Sequence, residues 1–395
     1  MTDMHSPASE AEVAGIITTA RAAKTPLAIL GGNTRAGLGH PVQAAADLSL
    51  ARLTGITLYE PSEMVISARA GTPLKEITGA LAAKGQMLPF EPMDHRRLYG
   101  TTGEPTIGGV VAANVSGPRR IAVGAARDHL IGVRFVTGRG EAVKSGGRVM
   151  KNVTGLDLVK LLAGSYGTLG VLTEVTFKVL PVPERSATLV VAGLSDHDAI
   201  AGLSAALGSP FEVNGAAHLP AAVTGGAAQT LIRVEGFVPS VEYRLERLRA
   251  LLAAGSAQVL EGAESAALWM RVGDAAPLAE PRERAIWRLS LAPTQAAVIV
   301  AQLSARLDAR HFYDWGGGLV WLSVAGAGDA GAALIRAALA TTGGHATLVR
   351  AAPDLRASIP VFQPLSAPLM KLTAGIKHSL DPDGLLNPGR MYGGI

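Results

Sequence analysis

The chain has 395 residues, 48% hydrophobic and 17% charged, a folded composition that excludes disorder and leaves room for two domains or three. It holds no cysteine, which excludes disulfides, thiolate zinc sites and iron–sulfur ligation within it. Its formal net charge of +4 comes without a run of Lys and Arg, so no nucleic-acid arm is expected, and an anionic cofactor or an acidic partner explains the balance equally well.

The first elements alternate. Ser9 and Glu12 stand in capping-box spacing ahead of apolar residues at helical intervals. PLAIL, 26–30, reads as a short buried strand that runs into GGNTRAGLG, 31–39. ITLYE and MVISARA read as further strands. Thr72 as N-cap and Pro73 as first helical residue then open a helix that Gly85 ends. IGVRFVTGRGEAVKSGG reads as a hairpin turning at Gly138-Arg139-Gly140, DLVKLLAGSYG as a helix with glycine stops, and GVLTEVTFKVLPVP as a strand closed by Pro181 and Pro183. That Pro-X-Pro marks the first domain boundary.

From 184 to about 360 strands (ATLVVAGL, QTLIRVEGF, AIWRLSL, GGLVWLSV) and helices (SVEYRLERLRALLAAG, TQAAVIVAQLSARL) alternate in what reads as a separate α+β module. A last helix begins at 367, breaks at Asp381-Pro382 and ends in turn residues. The N-terminus shows no basic region followed by an apolar core, so no secretory signal is expected. No apolar stretch approaches the roughly 20 residues of a membrane span. The expected location is cytoplasmic.

Three glycine-rich elements carry the chemistry. In PLAILGGNTRAGLG a strand delivers the chain into small residues whose N–H groups can form an anion nest. Asn33 and Thr34 add donors and Arg35 a charge, the composition needed for a pyrophosphate. It is neither a P-loop nor GxGxxG. In TIGGVVAANVSGPRR, 106–120, Gly108-Gly109 offers bare donors at a helix start, small residues let a flat ligand lie against the backbone, and Asn114 and Ser116 can read its polar edge. GSYGTLGVLTEVTF, 164–177, exposes backbone at a strand start. Each is equally a tight-packing device taken alone; three at these intervals within one 180-residue unit are specific.

LGGNTRAG, TIGGVVAANVSG, GAARDHLIGVRFVTGRGE, KNVTGLDLVKLLAGSYGTLGVLTEVTF and DPDGLLNPGR, in that order, resemble the vanillyl-alcohol oxidase superfamily with its PCMH-type FAD-binding domain. MLPFEPMDHRRLYGTTGEPTIGGVVAANVSGPRRIAVGAARDHLIGV, 87–133, is similar more narrowly to the smaller flavin subunits of bacterial glycolate oxidases. The resemblance implies an α+β fold: an FAD domain of two α+β subdomains over 1–183, a smaller α+β cap over 184–364, and a segment, 365–395, that returns to the FAD domain. It implies FAD wrapped at its pyrophosphate by Gly31, Gly32, Asn33, Thr34 and Arg35. Pro89, Gly108, Gly109, Asn114, Ser116 and Gly117 would line the flavin side, Ala125 and Asp128 lie further along, and Gly170 and Val171 meet the adenine side. Arg119 and Arg120 stand either to offset cofactor charge or as exposed surface arginines.

Many relatives attach FAD through a His or Cys. Here there is no Cys and the loop carries Asn33-Thr34 where a linking His sits in some of them, with His40 just beyond it, so noncovalent FAD is expected. Relatives that oxidise 2-hydroxy acids use a metal-binding histidine pair. His197, His218, His311 and His345 stand at no ligand spacing, so no metal is expected and no catalytic residue is assigned. Arg288 and Arg350 sit on strands that can face the flavin or make strand-edge ion pairs, while Trp287, Trp315 and Trp321 read as core. The resemblance implies a redox subunit working with a larger FAD-containing glycolate oxidase subunit and an iron–sulfur subunit, at the inner face of the membrane through those partners, on glycolate or D-lactate. A self-sufficient 2-hydroxy-acid oxidase and an assembly subunit with FAD as a folding cofactor stay open as alternatives.

Overall fold

The computed structural model describes residues 3–147, 156–253 and 257–395. The KNVTG start of one family motif, 151–155, lies outside the described residues. The helix Glu10–Ala23 is capped as its sequence predicts: the Ser9 hydroxyl accepts from the Glu12 amide at 3.2 Å, and the Glu12 carboxylate takes the Ala8 amide at 2.9 Å. Its buried stripe, Val13, Ile17 and Ala20, lies toward the strand Leu130–Val136.

Three short parallel strands, ordered Asp3–His5, Ala46–Ser49, Leu27–Leu30, form the first sheet. The second has five antiparallel strands in the order Ile56–Glu60, Val65–Arg69, Val171–Lys178, Leu130–Val136, Ala142–Gly146. The expected hairpin is there, with Val136 opposite Ala142 around Gly138–Gly140. The helix start near residue 72 differs from expectation. The helix is Leu74–Ala82, and the Thr72 hydroxyl instead donates to the Arg69 carbonyl at 2.7 Å and accepts from the Gly55 amide at 3.0 Å, closing the turn before it.

The third sheet has eight antiparallel strands: Gln258–Glu261, Arg185–Ala192, Gln229–Gly236, Gly215–Leu219, Ala309–Asp314, Leu319–Val324, Ala285–Ser290, His345–Arg350. One face carries Trp287, Leu289, Ile232 and Leu322 against Leu203, Leu248, Ile299 and Ile335 of the helices Asp196–Leu207, Val238–Leu251, Pro293–Ser304 and Ala332–Ala340. The other face puts Leu231, Ile286, Phe312 and Trp321 into the same core as Phe90, Ile107 and Phe135 of the first half. Burial on both faces explains why TLIRV and LVWLSV read as continuous apolar runs rather than alternations.

The chain end returns to the start. Leu386 bridges Leu27 in parallel. The buried Lys377 ammonium, on the helix Ala367–Leu380, donates to the Thr168 carbonyl at 2.7 Å, the Leu386 carbonyl at 2.9 Å and Asp381 at 2.7 Å. Three acceptors match its three protons, so the charge is buried with its hydrogen bonds met. Among the described residues no helix is long and apolar enough to cross a membrane.

Candidate functional site

The strand Leu27–Leu30 ends in the loop that begins at Gly31. From Gly31 through Gly37 no backbone amide donates to a described residue; the next, Leu38, closes back onto the Arg35 carbonyl at 3.0 Å. Consecutive free N–H groups with Asn33 at φ +56° form a nest for an anion. This loop walls a cleft lined also by Leu50, Ala70, Thr106, Gly108, Gly109, Tyr166, Gly167, Gly170, Asn387 and Arg390, mostly small and apolar residues with a few convergent polar groups, the lining of a ligand site.

Two buried guanidiniums charge it. Arg35 donates to His95 Nδ1 at 3.2 Å and to the Met93 carbonyl at 3.1 Å, and Arg390 to the Arg35 carbonyl at 3.4 Å. Those acceptors are uncharged. Burial holds Arg35 down to about 10, against the charge of Asp94, and it stays cationic at neutral pH. Burial and then the Arg35 charge push His95 to about 3, so it faces Arg35 as a neutral ring. Arg390 Nε has no hydrogen-bond partner among the described residues. Free amides, orphaned guanidinium donors and apolar walls together fit a dinucleotide, whose diphosphate is dianionic and whose rings are flat.

The glycines serve this cleft differently from their sequence reading. A Cβ on Gly32 would lie 1.6 Å from the Glu104 carbonyl oxygen, and one on Gly108 2.7 Å from Ala70 Cβ. Gly32 and Gly108 thus let main chains meet so that the wall is backbone. The helix start at Gly108-Gly109 is not a free donor site: Gly108 donates to the Ala70 carbonyl at 2.8 Å and Gly109 to the Thr106 hydroxyl at 3.3 Å.

Of the residues singled out from the sequence, Gly31, Gly32, Asn33, Thr34, Arg35, Gly108, Gly109 and Gly170 line the cleft. Val171 is buried in its strand and Pro89 beside Phe90. Asn114, Ser116 and Asp128 serve a short helix, Ala126–His129: Asn114 Oδ1 takes the Arg127 amide at 3.0 Å, Ser116 Oγ the Ala126 amide at 2.9 Å, and Asp128 the Ala125 amide at 2.8 Å. The Gly117 carbonyl accepts from Trp315 Nε1 at 3.2 Å. Leu50, Ala70, Thr106, Tyr166, Asn387 and Arg390 line the cleft without having been named. The last three stand in the quoted GSYGTLG and NPGR, and Asn387 shows why: it accepts from the Ile29 amide at 2.9 Å and donates to the Tyr166 carbonyl at 2.8 Å, stapling three distant segments.

Several charged residues differ from expectation. Arg119 is neither a cofactor counterion nor exposed. It pairs with Glu235 and, at 3.4 Å, with Glu91, while Arg233 holds Glu91 at 2.8 Å, a buried ring joining the first half to the eight-stranded sheet. Burial raises the Glu91 carboxyl and the two guanidiniums more than reverse that, leaving it below its usual value. Arg350 is a staple without an ion pair, donating to the carbonyls of Leu98, Ala279, Pro281 and Arg284 at 2.5–3.2 Å. His40 binds the Arg356 carbonyl at 2.6 Å and accepts from the Val361 amide at 3.4 Å, outside the cleft. His218 and His311, far apart in sequence, converge on Asp196 at 3.3 and 2.7 Å. Both use Nε2, so the trio is a hydrogen-bonded unit, and no metal-holding group occurs among the described residues. Trp287 and Trp321 are core, whereas Trp315 is only partly buried.

Comparison with known proteins agrees with this geometry. A family model described as an FAD binding domain matches residues 4–146. Glycolate oxidase subunit GlcE of Escherichia coli (strain K12) is 38% identical over 93% of this chain and 93% of its own length. D-lactate dehydrogenase of Anaerostipes hadrus is 31% identical over 49% of this chain and 39% of that protein, and glycolate oxidase subunit GlcD of Bacillus subtilis (strain 168) is 25% identical over 66% and 57%. Among solved structures, 4-ethylphenol oxidase from Gulosibacter chungangensis superposes with a TM-score of 0.75 at 15% identity, covering 99% of this chain and 89% of that one. The fold is the PCMH-type, vanillyl-alcohol oxidase-like FAD-binding fold, α+β in class.

Proposed function

The chain belongs to the family of the glycolate oxidase subunit GlcE and is an FAD-dependent oxidoreductase, and from that premise we propose that it is the FAD-binding subunit of a multi-subunit glycolate oxidase. In this reading the complex oxidises glycolate, or D-lactate, to the 2-oxo acid, and electrons pass through this chain between a larger flavin subunit and an iron–sulfur subunit. The functional parts are 1–183 for FAD, 184–364 as a reduced cap, and 365–395 closing the cleft. The reading carries with it a cytoplasmic place, at the inner face of the membrane through those partners.

One observation carries it: a cleft fitted to a dinucleotide is paired with a cap in which His218, His311 and Arg350, groups a substrate base and clamp would draw on, are used to hold the fold. Arg350 is used on four carbonyls, and His218 and His311 on Asp196. The chain supplies no cysteine for a relay, so an iron–sulfur acceptor would be on another chain. Bound FAD supplies the redox chemistry. The chain's residues hold and orient it: the amides from Gly31 to Arg35 and the Arg35 and Arg390 guanidiniums take the pyrophosphate, and Gly170 and Val171 flank the adenine. Pro89, Gly108, Gly109, Asn114, Ser116, Gly117, Ala125 and Asp128 build the wall toward the flavin. His40 is tied to the backbone of Arg356 and Val361, which supports noncovalent attachment.

The test is anaerobic mixing of the isolated FAD-loaded chain with glycolate or D-lactate while flavin absorbance is followed. The reading expects bleaching only after the larger flavin subunit is added. Rapid bleaching without partners favours the self-sufficient enzyme and overturns it.

A further inference from the structure

Two guanidiniums, one from the eight-stranded sheet and one from the first half, have no assignment. Arg288 lies on the strand Ala285–Ser290, on the same face as Ile286, the face that meets the first half. Arg120 comes from the first half, in the short helix Arg120–Val123. Both stack on one indole, with Arg120 4.6 Å and Arg288 5.0 Å from the Trp315 ring centroid. Trp315 is fixed by its Nε1 hydrogen bond to the Gly117 carbonyl at 3.2 Å. Neither guanidinium donates a hydrogen bond to a described residue or has a described carboxylate within 4.0 Å.

Two like charges sharing one ring repel. Burial first, and then the Arg120 charge, hold Arg288 down to about 10, so it remains a cation at neutral pH, and burial lowers Arg120 as well. The carboxyl next along the chain, Asp314, is turned onto the Trp315 amide at 2.7 Å. Two bulky residues hold left-handed backbone, Trp315 at φ +53° and Tyr166 at φ +54°, a conformation that persists where the surroundings impose it, and Tyr166 is near enough to Arg288 for the two charges to interact. Tyr166 also lines the FAD cleft, and its hydroxyl has no described hydrogen-bond partner.

We propose that Arg120 and Arg288, clamped on Trp315, form a binding site in this chain for a small carboxylate with an oxygen at C2, a 2-hydroxy or 2-oxo acid. A planar guanidinium fork matches the two oxygens of a carboxylate, and stacking on the indole leaves the N–H edges free for it. A single anion offsets the repulsion between the two cations. The Tyr166 hydroxyl is the group on the cleft side for the second oxygen. The Arg120–Trp315–Arg288 geometry points to an anion; the assignment rests on the proposed glycolate reading for the identity of that anion as a 2-hydroxy or 2-oxo acid. It requires binding only: no bond forms or breaks.

Calorimetric titration of the purified chain with glycolate, glyoxylate, glycolamide and inorganic phosphate tests it, with FAD content measured on each sample. The acids are expected to bind and the neutral amide not to. Arg288→Gln is expected to weaken glyoxylate binding by about tenfold or more, the scale of a charge-assisted pair, and Arg288→Lys to fall between, keeping charge without the fork. Equal binding of glycolamide and glycolate, unchanged binding in Arg288→Gln, or phosphate binding more tightly than glyoxylate would each overturn the site. An Arg288→Gln protein that keeps its carboxylate affinity while its flavin potential shifts would assign Arg288 to the flavin instead. Bleaching by glycolate without partners would sink the subunit reading and leave this site standing. Absence of calorimetric binding sinks the site whatever the flavin does.

Discussion

Arg356 donates to the Gly39 carbonyl at 2.9 Å, and the same nitrogen reaches the Gly37 carbonyl at 3.0 Å. A side chain from the helix Pro353–Ser358, next to the last strand of the cap, thereby holds the far end of the loop whose amides face the cleft. Burial lowers the Arg356 pKa, yet its charge is held against carbonyl dipoles. Arg356→Met leaves two buried acceptors unmet, at about 1–3 kcal/mol of stability for such a loss. The expected outcome is a lower melting temperature and weaker FAD retention together, read by thermal unfolding and by flavin content after gel filtration. Unchanged FAD retention would show that the loop holds its shape without this tie.

Gly32 and Thr34 separate two kinds of loop damage. Because a Cβ at 32 meets the Glu104 carbonyl oxygen at 1.6 Å, Gly32→Val is expected to cost soluble protein as well as FAD. Thr34→Ala removes one buried hydroxyl at the cleft wall and is expected to weaken FAD by about 0.5–1.5 kcal/mol. Yield and flavin content of both variants check this. Wild-type FAD content in both would remove the loop from the pyrophosphate site.

Noncovalent FAD has a direct test. Acid precipitation should leave the yellow colour in the supernatant. Colour in the pellet would mean a covalent bond, with neither Cys nor an untethered His40 to make it.

Asp314 gives a pH signature. Burial pushes its carboxyl up to about 7, against the hydrogen bond from the Trp315 amide. The folded state therefore keeps a proton that the unfolded chain releases near its ordinary value of 3.8. Between those values the unfolded state binds fewer protons, so stability falls as pH rises, by about 1.4 kcal/mol per pH unit, and levels off above about 7. Asp314→Asn holds no such proton. Its stability relative to wild type should rise across that window, measured by urea unfolding at several pH values. A flat difference would refute the raised value.

The ring of Arg119, Arg233, Glu91 and Glu235 should behave as one unit. Glu235→Ala removes the carboxylate that Arg119 holds closest and that Asn214 donates to at 2.5 Å. It leaves a buried guanidinium short of its partner, at about 3–5 kcal/mol. A double-mutant cycle with Arg119→Ala should return a coupling of at least 1 kcal/mol. Additive effects would show two independent contacts.

The first loop and the hairpin were legible because their signals are local. Glycines after the strand Leu27–Leu30, the Ser9–Glu12 cap and the turn at Gly138–Gly140 each act within a few residues. The strands Gly215–Leu219 and Ala309–Asp314 were not. GAAHL and ARHFYD carry little β-branched or alternating pattern, and they are strands because neighbours on both sides pair with them.

By itself the sequence, through three glycine-rich elements in the order of a known family, pointed to a chain that takes up FAD. A run of small residues after a strand permits a backbone-walled site, and that much follows from residue type and order; that the amides of Gly31–Gly37 are free among the described residues while those of Gly108 and Gly109 are bonded does not. The tertiary structure decided which groups complete the site and which do not. Arg119, Arg288 and Arg350 are the same residue type in similar β-rich or glycine-rich settings. One sits in an ion ring, one stacks on an indole with no carboxylate among the described residues within 4.0 Å, and one is used up on four carbonyls. A guanidinium's role is set by the acceptors within about 3 Å of it. For Arg119 and Arg350 those acceptors, and for Arg288 the Trp315 ring, come from segments tens to hundreds of residues away, brought together only when the cap folds back over the first half.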